Sequence, residues 1–318
     1  MTIIETSGLT KYYGDLCAVD HLDLSVGNEI FGLLGPNGSG KTTTVLMLTT
    51  LLEPTGGSAR ICGYDTREEA REVRRQISYV PQEMAVDIKL TGRENVAFFA
   101  KLYGIPRRDE AVDRVLSMMD LSERADDLVR TYSGGMRRRL ELAQALVHEP
   151  KVLFLDEPTI GLDVAARRKI WEHIRTLKSR GMTIFVTTHY MDEADHSCDR
   201  VAILDRGRVI AVDSPSALRA RVGNDIISAR VRGQIGDTFP EGITHLGERE
   251  NGEIVFSTDH GSEKVPVLFH WLEKRGVSVQ SISVREPTLD DVFLSLVTQR
   301  EEGHGFDEHK FRTMLRRR

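Results

Sequence analysis

The chain has 318 residues, 40% of them hydrophobic and 29% charged, with 43 basic against 48 acidic side chains and a formal net charge of −5. That length suits two domains at roughly 100–200 residues each, and the mild acidity gives no reason to expect a nucleic-acid partner. Cys17, Cys62 and Cys198 are scattered without C-x-x-C spacing, which indicates neither a disulfide framework nor a zinc site, and no apolar run approaches the roughly 18 residues that would span a bilayer.

The opening run MTIIETSGLTKYYG lacks the basic flank and apolar core of an export signal. A reducing cytosolic compartment fits, and the chain is expected to be neither inserted nor exported by itself. The apolar segment Ile30 to Leu34 then leads into Gly35, Pro36, Asn37, Gly38, Ser39, Gly40, Lys41, Thr42 and Thr43, which meets the phosphate-loop pattern G-x-x-x-x-G-K-[ST]. Such a loop holds a nucleoside triphosphate. Its glycines let successive N–H groups point into one concavity, and a helix expected over Thr42 to Leu52 aims its free amides and positive dipole end at the same anion. Lys41 supplies an ammonium for the β- and γ-phosphates, and the Thr42 hydroxyl is a ligand for Mg²⁺.

Strand-like runs alternate with helical patterns up to about residue 220, which predicts an α/β domain with a largely parallel sheet. The segment ISYVPQE leaves Gln82 at a strand end, where its amide can reach the metal or a water. TGRENVAFFAKLYGI and RDEAVDRVLSMMDL follow with helical spacing, and Phe98, Phe99, Leu102 and Tyr103 are expected to bury one face. In YSGGMRRRLELAQALV, Ser133, Gly134 and Gly135 open a second helix with glycine-exposed amides and no phosphate loop of its own. In VLFLDEPT, a strand over Val152 to Leu155 delivers Asp156 and Glu157 to the sheet edge where α/β folds bind ligands. Beside a phosphate loop, Asp156 suits the Mg²⁺ shell and Glu157 the polarisation of an attacking water. A strand over Thr183 to Thr188 ends at His189, whose imidazole can donate to a γ-phosphate.

GPNGSGKT, Gln82, YSGGM, LFLDE, GLD with Asp163, and TTH with His189 occur in the order found in the ATP-binding cassette (ABC) family, and residues 3 to about 220 resemble that family closely. Tyr132 and Met136 depart from it, where leucine and glutamine are commonest. The resemblance implies a P-loop NTPase cassette: a mixed, largely parallel sheet with a β-rich N-terminal part, a helical subdomain at about 86–135, and ATP with Mg²⁺ as ligands. It further implies that Tyr13, before Gly14, stacks on adenine, with Tyr12 as the neighbouring alternative. Ser133 and Gly135 would contact the γ-phosphate held by a second subunit, and Asp163 would communicate across the dimer or merely cap a helix. Part of the Phe98–Tyr103 stripe would line the groove that receives a helix of the membrane subunit. ENVAFFAKLYG and EPTLDDVFLSL resemble subunits of ABC-2-type exporters, including the daunorubicin-resistance type.

Beyond residue 220, after a helix start at SPSAL, alternation predicts strands over Ile226–Val231, Glu253–Ser257 and Val277–Val284 and a helix over Lys264–Lys274. A small α+β module over 221–299 is expected, with a helix started near Thr288 and a disordered tail over 300–318 whose Arg316, Arg317 and Arg318 could meet anionic lipid. The expected function is ATP hydrolysis by a head-to-tail homodimer at the cytoplasmic face of the membrane, driving export through a separate ABC-2-type permease. A soluble ABC ATPase of nucleic-acid maintenance, translation or protein assembly is the alternative. The chromosome type needs a coiled coil between phosphate loop and YSGGM that is absent from this sequence, and the translation type usually carries two cassettes.

Overall fold

The computed structural model describes residues 2–302 except 224, 234, 237 and 250. These fall into two compact units divided between Asp213 and Ser214. Sequence alone places that boundary near 220; packing assigns the short helix that follows Ser214 to the second unit.

In the first unit β1 (Ile4–Tyr13) and β2 (Leu16–Val26) form an antiparallel hairpin, and β3 (Ile30–Leu34) runs fully buried into the phosphate loop and α1 (Lys41–Leu48). β4 (Gly56–Ile61), β5 (Tyr64–Asp65), α2 (Ala70–Gln76) and β6 (Ile77–Val80) follow. Next come the helices α3 (Gly92–Leu102), α4 (Arg108–Met118) and α5 (Gly134–Leu146). The unit closes with β7 (Val152–Asp156), α6 (Val164–Ser179), β8 (Thr183–Thr188), α7 (Met191–Ser197), β9 (Arg200–Asp205) and β10 (Arg208–Asp213).

Among the described residues these strands build a sheet of order β2-β1-β4-β5, antiparallel throughout, and a six-stranded sheet of order β10-β9-β3-β8-β7-β6, parallel except for its β10 edge. One apolar core joins residues of both sheets with α1: Phe31, Phe154 and Phe185 from the parallel sheet meet Leu22, Val26, Val45 and Leu48. The parallel strands read as unbroken apolar runs because both their faces are covered. Their common direction brings the carboxyl ends of β3, β7 and β8 to one edge, so the phosphate loop, Asp156 and His189 converge there.

Two expectations change. The helix after the phosphate loop stops at Leu48: Thr50 turns left-handed (φ 64°), and the Leu51 and Leu52 amides donate back to the Leu46 carbonyl. The aromatic stripe of α3 is not its buried face, although Phe99 within it is half-buried. Phe98 is 61%, Leu102 69% and Tyr103 45% exposed, whereas Gly92, Asn95, Val96 and Ala100 form the buried face. Small residues on that side admit the close approach of α4 and α5. The large apolar side chains are left outside, and Tyr103 stacks on His148 at 4.0 Å between ring centroids. A capping box formed by Thr91 and Glu94 fixes where α3 begins.

The second unit starts with α8 (Pro215–Ala220), capped by Ser214, and contains β11 (Asp225–Arg232), β12 (Thr244–Glu248), β13 (Glu253–Thr258), α9 (Gly261–Lys274), β14 (Ser278–Arg285) and α10 (Leu289–Glu302). Its sheet is antiparallel in the order β12-β13-β11-β14. Ile227, Phe256, Leu268 and Leu272 lead its main core. β12 was not expected, because Gly247 is the fourth of its five residues and interrupts the alternation. Leu294 of α10 would lie 3.0 Å from a Cβ at Gly247, so this glycine gives the helix room. α10 continues through residues 300–302 of the expected tail; Arg316, Arg317 and Arg318 lie outside the described residues.

At the start of α10 a buried carboxylate gathers two guanidinium groups. Asp291, with no exposed surface, accepts from Arg285 at 2.6 and 2.7 Å and from Arg249 at 2.7 Å. Thr288 adds its N–H at 2.8 Å and its hydroxyl at 2.9 Å. The motif EPTLDD is thereby a structural clamp within its own unit.

Candidate nucleotide site

The loop between β3 and α1 is built around close approaches. A Cβ at Gly35 would lie 2.2 Å from the Leu204 carbonyl, and one at Gly40 2.4 Å from that of Ala18, so neither position tolerates a side chain. Pro36, Asn37 and Gly38 stay exposed, whereas Ser39 is buried and its hydroxyl is without a partner. Gly40 precedes α1 at φ 106° and offers no side-chain cap, which leaves the first amides of the helix for an anion. Thr42 is exposed and Thr43 half-buried in that first turn.

Lys41 is buried, and its Nζ donates to the Gly35 carbonyl at 2.8 Å and the Pro36 carbonyl at 3.1 Å. It also lies 3.6 Å from Glu157 Oε1. Burial lowers the affinity of this ammonium for its proton, and the Glu157 charge opposes that shift.

The paired acids have different surroundings. Asp156, 1% exposed, accepts a hydrogen bond from the Thr187 hydroxyl through Oδ1, while its Oδ2 is buried with no partner. Burial first, and the Asp156 charge second, push the Tyr79 phenol up to about 12, so it remains protonated near this carboxylate. Glu157 follows with φ 48°, a conformation unusual for a side chain of its size. Its amide donates to the carbonyl and hydroxyl of Thr187, both at 3.1 Å, which fixes the turn. Glu157 Oε2 lies 3.0 Å from His189 Nδ1, so the glutamate stands between the Lys41 ammonium and the imidazole.

A buried, unpartnered carboxylate oxygen fits a cation, and the exposed Thr42 hydroxyl suits the same role. Gln82 is exposed on the loop after β6, immediately beyond Pro81. Tyr13 is 47% exposed at the end of β1, with Lys11 Nζ 5.5 Å from its ring centroid, and Tyr12 beside it is 45% exposed.

The phosphate loop, Lys41, Asp156, Glu157 and His189 therefore form one cluster. The Ser133 segment belongs to another. Ser133 caps α5 by accepting from the Met136 amide at 3.2 Å, and Asp163 caps α6 by accepting from the Ala166 amide at 2.8 Å. A Cβ at Gly135 would sit 2.8 Å from Cβ of Ala166, and one at Gly134 3.5 Å from Leu162. The glycines thus allow α5 and α6 to abut as well as exposing amides. Tyr132, the departure from leucine, is buried; its hydroxyl donates to the Arg124 carbonyl at 2.5 Å and lies 2.3 Å from where a Gly92 Cβ would be. Thr187 and Tyr79 escaped notice in the sequence, as did a buried ion pair of α5, Arg138 with Glu141 at 2.9 Å. Arginine three residues before glutamate inside an apolar helix is the one legible sign of that pair.

Residues 19–160 match the family model described as ABC transporter, and residues 214–297 match the C-terminal domain of DrrA1-3-like ATP-binding proteins. The chain is 39% identical to the daunorubicin/doxorubicin resistance ATP-binding protein DrrA of Streptomyces peucetius over 315 residues, 96% of this chain and 94% of that protein. It is 40% identical to the Nod factor export ATP-binding protein I of Cupriavidus metallidurans, covering 92% of this chain and 97% of the relative. Among solved structures, a dimeric ATP-binding cassette in a post-hydrolysis state bound to ADP and Pi is similar over 67% of this chain and 98% of its own, with a TM-score of 0.60 and 27% identity.

Proposed function

The chain belongs to the ATP-binding, ATP-hydrolysing proteins of ABC transporters, of the daunorubicin-resistance type, and on that premise we propose that it drives export by closing as a head-to-tail homodimer on ATP. Each phosphate loop faces the Ser133 segment of the other copy across one nucleotide, and a twofold axis makes the two sites equivalent. The observation that carries this reading is where the two sets of motif residues make their own contacts within one chain. Lys41, Asp156, Glu157 and His189 cluster at one sheet edge, while Ser133 and Gly135 pack with the start of α6. The solved relative in dimeric form supports it.

In the closed dimer, Lys41 turns its ammonium from the loop carbonyls to the β- and γ-phosphates, and Tyr13 stacks on the adenine. Asp156, Thr42 and Gln82 would hold Mg²⁺, whose charge when bound offsets that developing on the phosphates. Glu157 accepts a hydrogen bond from a water. That oxygen bonds to the γ-phosphorus as the bond to the bridging oxygen breaks; Glu157 takes one of the water's protons, phosphate keeps the other, and ADP leaves with the electron pair. His189 donates to the γ-phosphate, and Asp163 reports across the dimer. Loss of the bridging phosphate removes the differential affinity that favoured closure, and the sites reopen.

A separate ABC-2-type permease couples this cycle to transport at the cytoplasmic face of the membrane. No helix among the described residues is long and apolar enough to cross a bilayer. The exposed Phe98, Leu102 and Tyr103 supply a surface for a permease helix. The cargo is of the drug, lipid or polysaccharide class: one similar protein is named for daunorubicin/doxorubicin resistance and another for Nod factor export.

The test is Glu157→Gln. It is expected to bind ATP, to elute as a stable dimer with ATP, and to lose roughly 10²–10⁴-fold in phosphate release. Turnover equal to that of the parent would remove Glu157 from the chemistry.

A further inference from the structure

Arg138 lies in α5, five residues beyond the Ser133 cap, and is 2% exposed. Its guanidinium is spent on the backbone of two loops. Nε donates to the Pro158 carbonyl at 2.9 Å, and Nη2 to those of Asp156 at 3.2 Å and Glu157 at 3.4 Å. Nη1 donates to the Pro81 carbonyl, directly before Gln82, at 2.7 Å and to Glu141 Oε2 at 2.9 Å. Glu141 reaches further along the same loop, accepting from the Ala85 amide at 2.6 Å. One planar fork thus satisfies carbonyls at the turn that carries both acids and in the loop that carries Gln82, from the helix that Ser133 caps.

The geometry points to Arg138 as a positioning residue that locks the Asp156–Glu157 turn and the Gln82 loop to the Ser133 helix. The site a chain holds and the segment it lends to the other copy then move as one piece. This rests on the composite-site reading above. A buried ion pair is by itself weak evidence of a stabilising role, since an uncharged pair of similar volume often serves as well. The direction of these bonds, to the carbonyls flanking the reacting groups, is what assigns the role. Lysine cannot replace the fork, because a compact ammonium reaches one loop or the other.

The test is the double variant Arg138→Gln with Glu141→Gln, which removes both charges and leaves neither buried alone. Thermal melting, affinity for a fluorescent ATP analogue, kcat, KM and the Hill coefficient for ATP are measured beside the parent. A cooperative melt at a lowered midpoint, because carbonyls lose their donor, nucleotide affinity within about twofold, a kcat lower by roughly ten- to a hundredfold and loss of cooperativity are expected, since small misplacements of reacting groups carry losses of that order. A parent-like kcat and Hill coefficient in the folded double variant would overturn the assignment. Should it fail to fold, Arg138→Lys keeps the charge opposite Glu141 and is expected to show the same kcat loss; a parent-like kcat there overturns it equally. The parent's specific activity is followed over protein concentration in parallel. Absence of any concentration dependence sinks the composite site itself, whereas normal dependence with an unaffected variant sinks only the role of Arg138.

Discussion

Tyr132 shows how a departure from a family pattern can be absorbed by a distant residue. Its ring and hydroxyl occupy the space over Gly92, and the hydroxyl is held by the Arg124 carbonyl. Gly92→Ala would set a methyl 2.3 Å from that hydroxyl and is expected to cost about 1–3 kcal/mol as overpacking. Adding Tyr132→Leu to the same chain is expected to recover most of the loss, which urea unfolding of both variants will show. The sequence displays Tyr132 as unusual but cannot pair it with Gly92, since the two are 40 positions apart and meet only through tertiary packing. The gathering of Lys41, Asp156, Glu157 and His189 at one sheet edge was legible, because a phosphate loop and strand-end acids occupy fixed places in a parallel sheet. The bracketing of Glu157 by Lys41 and His189 was not, because both contacts depend on how β3, β7 and β8 are ordered.

Helix α3 illustrates the limit of periodicity. Apolar residues occur on both of its sides, and spacing alone favours the larger ones as core. The packed side is instead the one with Gly92, Val96 and Ala100, where backbones can come close. Because Phe98 and Leu102 are 61% and 69% exposed, Phe98→Ser with Leu102→Ser is expected to change unfolding free energy by no more than about 0.5 kcal/mol per substitution. The same pair is expected to abolish co-purification with the proposed membrane permease while leaving basal phosphate release intact. A large loss of stability without any effect on co-purification would show the stripe to be core. α5 was read correctly as a helix start, yet its internal Arg138 was invisible as anything but one of a run of arginines. Only burial distinguishes it from Arg137 and Arg139.

Each of the two units has its own apolar core, and the second adds a charged centre on Asp291. Burial alone would raise the pKa of this carboxyl, but the hydrogen bonds from Arg285 and Thr288 hold it below the ordinary aspartate range. A depressed carboxylate stabilises fully above the unfolded value near 3.9 and loses that contribution as pH falls through its lower folded value. Acid is therefore expected to weaken the second unit below about pH 4. Asp291→Asn should lose about 3–5 kcal/mol at neutral pH, as removal of one partner from a buried pair does, and flatten the acid limb of a melting-temperature profile against pH. An unchanged acid limb would assign that limb to other carboxylates. The alternating strands and helices of the first unit were plain in the sequence, and so was most of the second. β12 escaped because Gly247 makes room for α10, a demand set by a helix some 45 residues away.

The outward ridge of Phe98, Leu102 and Tyr103 also bears on how a cell must make this protein. Left wet, greasy rings invite self-sticking and capture by quality-control machinery, and copies made without the proposed permease would be exposed to both. Under the proposed function, matched dosage of this chain and its permease, by shared transcription or by destruction of orphans, would follow from three side chains on one helix and the turn after it.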